Sequence, residues 1–84
     1  MTNKQKKALA DAFLLNKNQK EMLDFLEGIL TPKEIESLSM RLQVVKMLKE
    51  GIAQRQIADK LGVGIATVTR GSGELKKSRF SNIS

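Results

Sequence analysis

The 84 residues carry 15 Lys and Arg against 9 Asp and Glu, a net charge of +6, with no His and no Cys. That length makes one small domain near the lower limit for a self-sufficient core, and the missing Cys excludes a disulfide framework and a thiolate metal site. Without His or Cys there is no general base near neutral pH, and no three acids lie at active-site spacing, so an enzyme is not expected.

An all-α chain of five or so short helices is predicted. The first helix should run from about Lys4 to Leu15, with Leu9, Ala12 and Phe13 on one side, and Asn16-Lys-Asn18 should break it. Asn18 followed by Glu21 has the form of a capping box, although Asn rather than Ser or Thr leads it. A second helix then carries Met22, Leu23, Phe25, Leu26, Ile29 and Leu30. Thr31-Pro-Lys-Glu34 is a stronger start signal: an N-cap Thr, Pro at the first helical position, Glu three after the cap. The third helix shows Ile35, Leu38, Leu42, Val45 and Leu48 at 3–4 spacing, and Gly51 closes it. No run approaches the roughly 18 apolar residues that span a bilayer. Ala8 to Leu15, interrupted by Asp11, is too short for a secretion signal, so a cytoplasmic protein with no membrane partner is expected.

Gln54 to Arg70 reads as a helix-turn-helix. Ile57 and Leu61 lie four apart and should face inward, and Ala58 is small enough for a second helix to pack close. Gly62 stands where the first helix must stop in a left-handed conformation. Val63 should plug the turn, and Ile65 and Val68 should form the buried stripe of the second helix. Gly64, Ala66, Thr67, Thr69 and Arg70 are then free to face outward, short residues plus one cation suited to base edges and phosphates. The same pattern also fits an ordinary helical hairpin. Charge placement favours DNA: residues 21–36 hold five acids against Lys33, whereas residues 51–84 hold Arg55, Lys60, Arg70, Lys76, Lys77 and Arg79 against Asp59 and Glu74. A transposase-like enzyme fragment would need its catalytic domain on another chain.

Adjacent apolar pairs, Met22-Leu23, Phe25-Leu26 and Val44-Val45, widen the apolar stripes beyond what one neighbouring helix covers. An intertwined homodimer would bury them and present two helix-turn-helix units to a two-fold DNA site. A compact monomer with Val44 or Met40 partly exposed is the alternative. Within a single domain, residues 1–51 are expected to form a helical dimerisation core, 52–77 the helix-turn-helix and 78–84 a polar tail.

Leu30-Thr-Pro-Lys-Glu34, Ser39-Met-Arg41, Gln54-Arg55, and above all Gly64-Ile-Ala-Thr-Val-Thr-Arg-Gly-Ser72 give the chain its resemblance to the Trp repressor family. The likeness runs from about Ala12 to Lys77. It implies an all-helical homodimeric transcriptional repressor that binds double-stranded operator DNA with L-tryptophan as corepressor. By position, Arg41 and Arg70 resemble the two arginines that flank the indole, a task that suits planar guanidinium groups better than Lys. Thr31 resembles the threonine near the ligand carboxylate, Leu30 the partner-subunit residue whose carbonyl accepts from the ligand ammonium, and Gly71 the residue leaving room beside the ligand. Gln54, Arg55, Gly64, Ile65, Ala66, Thr67, Thr69 and Ser72 match positions that meet the operator, and Lys76 would add a phosphate contact. Thr31 as an N-cap, Arg41 as a surface cation near Glu34 or Ser37, and Arg70 as a phosphate contact remain alternatives.

Three departures from the family are expected to matter. Glu74 replaces a small residue beside the ligand ammonium. It would either hold that ammonium more tightly than a hydroxyl or pair with Arg70, leaving a ligand-independent regulator whose corepressor site is filled by Glu74 itself. Ala53 stands where a Ser or Thr N-cap is usual, a change worth about 1 kcal/mol. Ser78 to Ser84 is too short and polar for the helix the family usually has there, so a smaller dimer interface is expected at this end.

Overall fold

The computed structural model describes residues 1–84, and all of its regular structure is helical: α1 (Asn3–Leu14), α2 (Gln19–Ile29), α3 (Pro32–Lys49), α4 (Gln54–Leu61) and α5 (Ile65–Lys76). The chain divides into two compact units, Met1–Ile35 and Glu36–Ser84. The boundary falls inside α3 rather than after it, because the second half of α3 supplies the core on which α4 and α5 pack.

In the first unit, Thr2 and Gln5 form a complete capping box that starts α1 one residue earlier than periodicity suggested: Gln5 N–H donates to Thr2 Oγ1 at 3.2 Å and Thr2 N–H to Gln5 Oε1 at 2.8 Å. Asn16 closes the helix by donating from Nδ2 to the carbonyls of Ala12 and Phe13. Asn18 caps α2 through its Oδ1, but Glu21 reaches the N–H of Lys17 at 2.8 Å rather than that of the cap. Phe13 and Phe25 meet edge to face with centroids 5.3 Å apart. No residue of α1 or α2 is buried, and Leu9, Leu14, Leu15, Leu23 and Ile29 are exposed. Thr31 and Glu34 exchange both hydrogen bonds of a capping box, at 3.1 and 2.8 Å, so Thr31 is the N-cap of α3.

The second unit holds the core. Val44 and Met47 of α3 pack with Ile57 and Ala58 of α4 and Val68 of α5, with Leu48, Ile52, Leu61 and Val63 around them. Val44 and Val45 are 1% and 4% exposed within the single chain, so this pair needs no second subunit to cover it. Gly51 ends α3 at φ +83 while the N–H of Ile52 reaches Met47 O and that of Gly51 reaches Leu48 O, a Schellman closure. Gly62 ends α4 at φ +67, and Ala53 at the head of α4 makes no side-chain cap. Ile65 departs from expectation: it is 50% exposed, whereas Val68 is fully buried. α5 continues without a break through Gly71-Ser-Gly73. The close approach at Gly71 explains that residue, since a Cβ there would lie 3.1 Å from Val44 Cγ1.

Candidate nucleic-acid interface and ligand groove

One turn of helix advances 3.6 residues, so α5 presents three faces. Val68 turns toward α3 and α4, and Gly71 lies against Val44 and Leu48 of α3. Ile65, Thr69, Ser72 and Lys76, at spacings of four, three and four, form a second stripe. Ile65, Thr69 and Lys76 are exposed and Ser72 is half-buried. Thr69 donates its hydroxyl to Gln54 Oε1 at 3.0 Å, which ties the middle of α5 to the first residue of α4. Arg55, next to Gln54 in the chain, is exposed. Gly64 is the N-cap of α5 and adds no side-chain cap, so the first turn of that helix is bare.

The third face of α5 looks elsewhere. Ala66, Thr67, Arg70, Gly71 and Glu74 line a groove of about 670 Å³ whose opposite wall is Leu38, Arg41, Leu42 and Val45 of α3. The residues matched to the operator therefore split: Ala66 and Thr67 share the groove with Arg41 and Arg70, while Gln54, Arg55, Gly64, Ile65, Thr69, Ser72 and Lys76 do not line it. Arg41 and Arg70 are exposed and enter no ion pair. Leu30, the half-buried C-cap of α2, and Thr31 lie in the first unit, and their ligand assignments rest on the resemblance alone.

Glu74 does not pair with Arg70. Its Oε1 lies 3.4 Å from Lys77 Nζ and its Oε2 accepts from Arg79 Nε at 3.3 Å. The hydrogen bond and charge of Lys77, followed by the charge of Arg79, hold its carboxyl below the usual carboxylate range.

The tail is more structured than its polarity suggested. Residues 77–82 form turns, Ser78 takes φ +61, and half-buried Phe80 and Ile83 complete the rim of the groove. Lys49 Nζ donates to the carbonyls of both. Sequence reasoning missed these two residues, whose trace was two apolar side chains three apart in a polar segment.

Residues 4–81 match the family described as "Trp repressor protein". The chain belongs to the Trp repressor family. Members of this family are transcription regulators rather than enzymes. This Trp repressor family chain is 51% identical over 63 residues to a Trp operon repressor homolog of Vibrio campbellii, covering 74% of this chain and 61% of the relative. It is equally similar to the homolog of Vibrio parahaemolyticus, over 74% and 59% of the two chains. The homolog of Aliivibrio salmonicida is 45% identical over 69 residues, covering 81% and 60%. The chain thus spans about three-fifths of the length of the curated relatives it matches. No helix is long and apolar enough to cross a membrane.

Proposed function

We propose that the protein is a sequence-specific transcriptional repressor that binds double-stranded operator DNA as a homodimer in the cytoplasm, with L-tryptophan as its corepressor. The observation that carries this reading is the back-to-back arrangement on α5. One stripe, Ile65–Thr69–Ser72–Lys76, is tied to Gln54 through Thr69, and the opposite face builds a groove with Arg41 and Arg70 in its walls. A ligand in that groove touches the helix that meets DNA, so its binding is able to set the angle of that helix. In a helix-turn-helix dimer the two recognition helices must meet major grooves about 34 Å apart.

The lining suits an aromatic amino acid. Leu38, Leu42 and Val45 offer apolar surface to a ring. Two guanidinium groups are placed to stack on it and to hold a carboxylate, and Glu74 supplies a counter-charge for an ammonium. The dimer is supported by α1 and α2, which bury nothing and leave Leu9, Leu14, Leu23 and Ile29 exposed.

Tryptophan titration tests the reading directly. The chain has no Trp and no Tyr, so indole emission comes only from the ligand. Saturable binding at one site per subunit, lost in Arg70→Ala, is the expected outcome. A ligand-independent regulator of the same fold is the second reading, favoured by Glu74 standing in the groove with Lys77 and Arg79 already paired to it. If tryptophan dependence appears only in Glu74→Ser, that second reading replaces the first.

A further inference from the structure

We infer that residues 77–83 form a built-in strap along the rim of the α3–α5 groove, latched by Glu74, and that an amino-acid ligand competes with it for Glu74 and for the apolar wall. This deepens the corepressor reading and rests on it for the identity of the ligand.

Three independent attachments hold the segment down. Both carboxylate oxygens of Glu74 are engaged by bases of the strap, Lys77 on one and Arg79 on the other. Lys49, from the far end of α3, donates to the carbonyls of Phe80 and Ile83. The side chains of Phe80 and Ile83 are half-buried at the groove, alongside Leu38, Leu42 and Val45. The turn that aims the strap backwards is itself costly. Ser78 sits at φ +61, a left-handed conformation that is unfavourable for a residue with a Cβ and persists only where the surroundings enforce it.

The latch uses the group that a ligand would need. An incoming ammonium competes with Lys77 and Arg79 for Glu74, and an incoming ring competes with Phe80 for the same apolar wall. Each exposed ion pair is weak and screened by salt, so the strap is reversible rather than a permanent plug. Ligand affinity is then reduced by the fraction of molecules with the strap open.

The strap is tested without any ligand in Phe80→Trp, whose single indole reports on position 80 alone. The expected emission is blue-shifted and protected from acrylamide, and it should move to that of a solvated indole when Glu74→Gln and Lys49→Ala are added. An indole already solvated in Phe80→Trp, and unmoved by those changes, overturns the proposal. Calorimetry with L-tryptophan then compares the wild type with Arg79→Ala and with Phe80→Ser, the second of which alters no charge. Both should bind roughly tenfold tighter if about a tenth of the wild type is open. Equal affinity in all three overturns the strap as a competitor. Binding in none of them, with the indole reporter at position 80 still protected, removes the tryptophan reading and leaves the strap standing.

Discussion

Thr69 and Gln54 are joined by a 3.0 Å hydrogen bond between the two helices of the helix-turn-helix, and both are residues we propose to meet the operator. The bond occupies Oε1 of Gln54 and leaves the two donors on its Nε2 free, a presentation that suits the acceptor edge of a base. Thr69→Val keeps the shape and removes the tie. Operator affinity should fall by about 1–3 kcal/mol while random duplex is bound almost as before, measured by anisotropy at one fixed salt concentration.

Lys76 ends the same stripe but offers only a point charge. Lys76→Ala should weaken operator and random DNA alike and lower the slope of log affinity against log salt by about 1. A salt titration of both duplexes checks it.

Two glycines in α5 should respond with opposite signs. A Cβ at Gly71 lies 3.1 Å from Val44 Cγ1, and Val44 is 1% exposed and hemmed in, so Gly71→Ala should destabilise by about 1 kcal/mol in spite of better helix propensity. At Gly73 an added Cβ meets nothing within 4 Å. Gly73→Ala should stabilise by about 0.5–1 kcal/mol, a rise of several degrees in Tm. Thermal melts of the two variants beside the wild type decide the point.

Glu74 should make stability depend on pH in a defined direction. Its carboxyl is held below the ordinary range by Lys77 and then Arg79, so the folded state binds its proton less readily than the unfolded chain. The contribution is therefore present above the ordinary carboxylate range and is lost as pH falls through the lowered value. The Tm difference between wild type and Glu74→Gln should shrink on acidification and on addition of salt.

Much of this architecture was legible because short-range chemistry dictates it. Thr31-Pro-Lys-Glu34 specifies a helix start through its own side chains, and Gly62 marks the one backbone position where a left-handed turn joins α4 to α5. The inward set of Ile57, Ala58 and Val68 followed from periodicity. Ile65 misled because it lies three before Val68, at the margin of the buried stripe, where the helix has already turned toward solvent. Val44 and Val45 looked too wide for one neighbour, but Val44 packs with α4 and α5 while Val45 faces the groove that Phe80 and Ile83 also line. The partners of Glu74 were hidden for a different reason. They depend on Ser78 reversing the chain, which no local pattern in Ser78-Arg-Phe-Ser81 announces.

The most direct test of the whole account is selection from a randomised duplex pool, run at one salt concentration with and without L-tryptophan. Enrichment of a two-fold symmetric sequence that requires tryptophan, and that is lost in Arg70→Ala, is the result predicted. A pool retained without enrichment in either condition would contradict it, because the exposed stripe of α5 would then be holding phosphates and reading no sequence.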